Sequence, residues 1–397
     1  MVGDLFPPTE RARIWGLILS GELIGAAFGY LVAGEVASIG TAAWRLAFIV
    51  LTIPSLGGAF AIRRWLPEPS RGGRGQLQPE VEELATDQEP VEASAVDRGQ
   101  VVEDAHVGAE ETAVGMEEVE AFTSGQAQEE VRTRHVAPDH ANVLHADPER
   151  MDLPAAVRYV LAIRTNVVLI IASALGYFYF TGVETFGLVY FEDRFHLAHG
   201  VAILAIAPLA LGGLAGVIAG GRLADIGLRR GRMNSRIVVG GWSFTLAAVF
   251  FLPGLASGSL AVALPLMAVA GFAFGARDPP LDAARLDIMH HRLWGRAEAI
   301  RTLLRQSMTA SAPIVFGAIA DALAPPHRVA QLNSTHGFGA NANAHGIELA
   351  SIVLLLTLVL GGLFTFAAKR TYPRDVATAL ASEEATARAR QREHQTE

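Results

Sequence analysis

Cysteine is missing altogether from this sequence, lysine occurs once, and charge is scarce. With no cysteine in 397 residues, the chain can form no disulfide, thiolate metal site or cysteine nucleophile. Lys369 is the single lysine, so nearly all basic charge is arginine, which we read as base composition and not function. Only 18% of residues are charged, below the roughly 25% of soluble domains. There is no glycine-rich phosphate loop ending in Lys and Ser/Thr, so ATP-driven chemistry is not indicated. The opening residues carry Asp4 and Glu10 where a cleavable signal has a basic stretch. Histidines are spaced every five residues at His135, His140 and His145, and His290 and His291 are adjacent. Neither pattern stacks ligands on one helix face, and no acid or thiol cluster completes a metal site. No nucleophile–base arrangement stands out, so we expect neither an enzyme nor a bound metal or cofactor. The basic residues form no nucleic-acid patch.

What the chain does have is apolar residues, about half of the total, unevenly distributed. From Pro67 to Arg150 there are 20 Asp/Glu against 6 Arg, with Phe122 the only aromatic. The whole chain has a net charge of −8, so the remainder outside this −14 segment is mildly basic. A segment this polar buries too little apolar surface to offset its ordering entropy, and we expect disorder there.

Apolar runs of near-spanning length recur at about 14–36, 44–65, 165–191, 201–221, 237–256, 259–276, 298–320 and 347–368. About 20 residues cross the roughly 30 Å hydrocarbon core, and backbone in lipid must bond to itself, so these predict eight transmembrane helices. Arginine favours one set of loops: Arg11 and Arg13; Arg63 and Arg64; Arg222 to Arg236; Arg277 to Arg296; Arg370. That set is expected to be cytoplasmic, which puts both termini and the acidic segment on that side of a plasma membrane.

Residues 10–34 and 293–317 align at a fixed offset of 283, with Arg13 over Arg296 and Gly34 over Gly317. Each is a basic segment entering a helix with small residues about every four positions, spacing that lets helix backbones approach closely. The offset preserves direction, so the repeat is parallel.

The stretch "GGRLADIGLRRGR", with Gly221, Asp225, Arg229 and Arg230, resembles the cytoplasmic loop signature of the major facilitator superfamily. Ile226 and Leu228 depart from its usual residues. "GDLFPPTERAR" is similar to the loop before that family's fifth span and "GAAFGYLVAG" to the span itself, although Tyr30 and Ala33 depart from its antiporter motif. "WRLAFIVLTIP" resembles the sixth span, and "DLF…R…GY…G" more faintly resembles the Spinster-like branch. The resemblance implies an all-α integral membrane bundle. Residues 1–66 would be a two-helix remnant of the first half and 67–155 a disordered cytoplasmic linker. Residues 156–371 would be the six-helix second half and 372–397 a solvated, partly helical cytoplasmic tail. Four helices that the family places upstream would be lacking. The implied function is secondary transport of a small solute by alternating access. The alternative is a truncated, non-transporting membrane or interaction protein.

Several residues stand out as candidate site groups. Glu22 lies mid-span and matches Arg305 at the repeat offset, so both would face the central cavity and contact substrate or each other. Burial would also let Glu22 carry a coupling proton. The other reading has Glu22 bonded to a neighbouring helix. Tyr177, Thr181 and Glu184 share a helix face at i, i+4 and i+7. They would receive an amphipathic, lipid-like or drug-like molecule; the other reading of this helix has Tyr177 and the nearby Tyr179 anchored at the outer interface. From the resemblance, Asp225 would brace the second half against the helix start near Arg11 and Arg13. The stretch 277–296 reads as a cytoplasmic connector.

Overall fold

The computed structural model describes residues 11–38, 44–65, 126–145, 147–324 and 344–396. Helices occupy all eight expected places. They are α1 (Arg11–Ser38), α2 (Trp44–Trp65), α5 (Arg164–Phe195), α6 (His199–Arg229), α7 (Ser235–Ala256), α8 (Leu260–Gly275), α10 (Trp294–Leu323) and α11 (Ala344–Ala368). Shorter α3 (Gln126–Thr133), α4 (Leu153–Ala162) and α9 (Asp278–Asp287), and the terminal α12 (Tyr372–Thr396), complete the set. Five stretches among the described residues are long and apolar enough to cross a membrane: Arg164–Phe195, His199–Arg229, Ser235–Ala256, Leu260–Asp287 and Ala344–Ala368. The 283-residue offset also relates α1 to α10, whose first residues are Arg11 and Trp294.

Helix α7 shows why these segments suit lipid. Phe244, Ala247, Phe251 and Leu255 face inward and are buried, while Trp242, Leu246, Val249 and Leu252 face outward and are equally apolar. A helix apolar on both faces has no water-facing side. Inside the bundle, α5 packs on α10 and α11, α7 on α8 and α11, and α6 on α8. Between α6 and α8 the contact is backbone to backbone. A Cβ on Gly212, Gly216 or Gly220 would run into the carbonyls of Ala268, Phe272 or Ala276. Where apolar attraction between helices is weak, such close approach supplies the packing. Helix α1 joins the bundle along α6 and α9, and α2 along α1.

The sequence reading needs correction in three places. The stretch from Arg277 to Asp287, expected as a connector between spans, is a packed helix that follows directly on α8, with Arg277, Asp282, Arg285 and Asp287 buried. Pro279 and Pro280 sit in the first turn of α9, where their missing N–H groups cost little, so the chain bends and resumes its course.

The expected disordered linker is folded from Gln126 onward, α3 and two short 3-10 turns lying against the rest. Residues 67–125 of the expected linker and the opening residues 1–10 lie outside the described residues. The tail, finally, is a packed helix. Val376, Ala377 and Ala379 of α12 are buried, and its polar stripe bonds the chain on either side. Thr378 Oγ1 accepts from the N–H of Asp139 (2.8 Å), Ser382 Oγ from that of Leu144 (3.0 Å), and Asp375 from that of Thr165 (2.8 Å). Individual bonds of this kind order a segment whose average composition gives no sign of order.

Candidate functional site

Three helices each bring one polar stripe to a common cluster, buried or half-buried at α5 and α9 and partly exposed at Glu298 on α10. Ser173 and Tyr177 are a turn apart on α5; Asp278, Asp282 and Arg285 stand at i, i+4, i+7 on α9; Glu298, Arg301 and Arg305 at i, i+3, i+7 on α10. Tyr177 is about 20 Å along α5 from its first residue, deep enough to reach the middle of a bilayer.

The charges are matched pair by pair. Arg277 binds Asp278 through Nε and Nη2 at 3.1 and 3.2 Å. Arg285 binds Asp282 and Ser173, and donates to the Leu169 carbonyl at 3.3 Å. Arg301 makes a two-point contact with Glu298 and approaches Asp282 at 3.8 Å. Charges removed from water are stable only when so paired.

Tyr177 sits between two guanidinium groups, with Arg277 4.8 Å and Arg305 4.3 Å from its ring centre. Its hydroxyl donates to Asp278 at 3.4 Å. Arg277 also lies 3.6 Å from the Phe274 ring centre. These are cation–π distances, and desolvation strengthens the interaction. The Nε of Arg305 is buried without a hydrogen-bond partner.

Of the expected site residues, the structure thus brings Tyr177 and Arg305 together. Thr181 is half-buried one turn further along α5, and Glu184 is exposed beyond it. Glu22 and Arg305 are not paired: Glu22 is exposed on α1, which packs on α6 and α9 and not along α10. The repeat fixes the depth of both residues but not the face each helix turns inward. Tyr179 is fully buried against Phe251, not anchored at an interface.

A second cluster closes one end of the bundle. Asp225, 2% exposed, accepts a 3.1 Å hydrogen bond from the main-chain N–H of Arg13 at the start of α1. Its other oxygen lies 3.6 Å from Arg236. Arg236, fully buried, also contacts Asp287, which accepts from the Tyr372 hydroxyl at 2.6 Å. Burial first, then the nearby Asp287 carboxylate, holds the Tyr372 hydroxyl well above its ordinary pKa, so it remains a donor. Gly221 is buried one turn before Asp225, whereas Arg229 and Arg230 are exposed. The Arg13 partner was expected from sequence; Arg236, Asp287 and Tyr372 were not.

Histidine plays a packing role here. His290 is buried with Nε2 3.1 Å from Thr386 Oγ1, and His291 stacks on it.

No curated protein matches the sequence. Residues 1–313 match the Major Facilitator Superfamily, and with that match over most of an all-helical bundle, the chain belongs to the Major Facilitator Superfamily of membrane transporters.

Proposed function

We propose that this membrane transporter is a secondary active carrier of a small amphipathic organic solute, working by alternating access, with Tyr177, Arg305, Thr181 and Glu184 forming part of the solute site. The observation that carries this reading is Tyr177 held between Arg277 and Arg305 inside the bundle. Ionisable groups at membrane depth are costly and mark solute or ion paths. An aromatic body with charged neighbours suits a molecule that is apolar at one end and polar at the other. Phe180 stacked on Phe274 at 4.9 Å supplies apolar surface beside it.

Alternating access also needs an element that differs between states, and the Asp225–Arg13 contact is our candidate. It ties α6 to the start of α1, so opening that end must break it. In this reading Gly221, Asp225, Arg229 and Arg230 form the conformational motif, with Arg11 and Arg13 opposite. The arginine-rich ends, both termini and the linker face the cytoplasm across a plasma membrane. Glu22 and Glu184, neither with an ion-pair partner among the described residues, are the candidate carriers of a coupling proton.

Reconstitution tests this. Purified full chain in liposomes, given labelled amphipathic solutes of each charge type with and without a pH gradient, should accumulate at least one of them, and Asp225→Ala should slow that flux. Flux no faster than in protein-free liposomes for every solute would leave the non-transporting alternative.

A further inference from the structure

The three carboxylates of this cluster are each taken by a different arginine: Asp278 by Arg277, Asp282 by Arg285, and Glu298 by Arg301. Arg305 is the fourth arginine. Among the described residues no carboxylate lies within ion-pair distance of it, and its Nε has no hydrogen-bond partner. Its one close contact of this kind is the Tyr177 ring at 4.3 Å. The cluster as built therefore carries one positive charge more than it balances, and a charge drawn out of water without its counter-ion is costly.

The geometry points to a solute with a single negative charge: the site takes an amphipathic organic anion, whose carboxylate, sulfonate or phosphodiester group is held by Arg305 on its Tyr177 platform. This rests on the reading of this face as the solute site, and it names the solute's class.

Two features suit Arg305 to this task. A guanidinium lying on an aromatic face spends its flat side there and keeps its N–H groups in the plane, where they form the fork that matches a two-oxygen anion. Arg305 is also half-buried, unlike fully buried Arg277, so an incoming group can reach it. The anion's position along the site follows from Glu184. It lies seven residues beyond Tyr177 on the same face of α5 and repels a second negative charge there. The charged end of the solute therefore sits at the Tyr177 level. Its apolar end takes the stacked Phe180 and Phe274.

Binding tests this without requiring transport. The full chain in phosphatidylcholine nanodiscs is titrated with 11-(dansylamino)undecanoate, followed by dansyl fluorescence. The bound probe is then competed with decanoate, decanol and decylamine, which share a chain length and differ in charge. Decanoate should displace the probe at least tenfold more effectively than the other two. Arg305→Gln should weaken probe binding at least tenfold, while Arg305→Lys, which keeps the charge but not the fork, should fall between. The competition series uses the unaltered chain, so it stands even where a variant fails to fold. Decanol or decylamine competing as well as decanoate, unchanged affinity in Arg305→Gln, or no saturable binding would each overturn the proposal.

Adding phosphatidylglycerol to the nanodiscs separates the sources of such an anion. Displacement of the probe by this lipid identifies a bilayer lipid, and its indifference a free solute; both keep the charge class. Saturable anion binding without flux would uphold the anion site while removing the carrier reading. Flux of a neutral or cationic solute with no anion binding would do the reverse.

Discussion

The main-chain N–H of Arg13 donates to Asp225 Oδ2 at 3.1 Å, across 212 residues of sequence. Because the donor is backbone, the contact reads the position of the α1 start, not the identity of its side chain. The other carboxylate oxygen faces Arg236 at 3.6 Å, so one residue serves both the tie between helices and the buried charge balance.

This geometry separates two variants of Asp225. Asp225→Asn keeps an acceptor for the Arg13 N–H and removes the charge beside Arg236; Asp225→Ala removes both. In a chain without native cysteine, a single Thr181→Cys reports access to the bundle interior cleanly. Labelling by an impermeant maleimide from the side that carries the Asp225–Arg13 contact should rise several-fold in Asp225→Ala and less in Asp225→Asn. Equal labelling in all three would mean that the contact does not hold that end closed.

Arg236 should matter more to stability than either of its partners. Removing it by Arg236→Met leaves Asp225 and Asp287 buried without their cation, a loss of about 3–5 kcal/mol for a buried pair. Tyr372→Phe removes one hydrogen bond to the Asp287 carboxylate, about 1.5–3 kcal/mol. Thermal unfolding in detergent should therefore rank Arg236→Met below Tyr372→Phe. The reverse order would mean that the tail contact and not the ion cluster holds this end together.

The same substitution at two glycines should have opposite consequences. Gly216→Leu drives a side chain into the backbone of Phe272, at a crossing where neither helix can retreat, while Gly58 has nothing within 4 Å. Overpacking costs about 1–3 kcal/mol where neighbours can shift, and backbone shifts less readily than side chains. Gly216→Leu should abolish a monodisperse peak in size-exclusion chromatography, and Gly58→Leu should leave it intact.

The helices were legible because hydrophobic run length and the demand for internal hydrogen bonding in lipid leave one solution. The contact of Asp225 with the start of α1 was legible from a resemblance. The charged core was not, and the reason lies in α9. Its Asp, Arg and two prolines resemble a loop in any composition window. Only the i, i+4, i+7 spacing of Asp278, Asp282 and Arg285 shows that they share a helix face. Their partners on α10, starting 20 residues on, follow the equally one-sided i, i+3, i+7 spacing, so a search for complementary stripes on consecutive segments would have found both. Glu22 shows the opposite failure, since internal symmetry gives the depth of a residue but not the direction in which it points.

Docking of α12 should depend on pH through Asp375. Burial raises its carboxyl pKa above the ordinary 3.8, against the hydrogen bonds from Thr165 that lower it; Asp139 raises it further and Arg164 lowers it. A carboxyl whose folded pKa exceeds its unfolded one binds protons more readily when folded. Its contribution therefore falls as pH rises from about 3.8 through the folded value, and at neutral pH the folded form bears the cost of burying the charge. Acidification thus strengthens docking through Asp375. Asp375→Asn keeps an acceptor for Thr165 and removes the titration. Spin labels on Ala141→Cys and Ala381→Cys should show a more populated docked distance in Asp375→Asn than in wild type at pH 7, with the difference vanishing toward pH 4. A difference that instead grew on acidification would show that the ionised carboxylate is what holds the helix down.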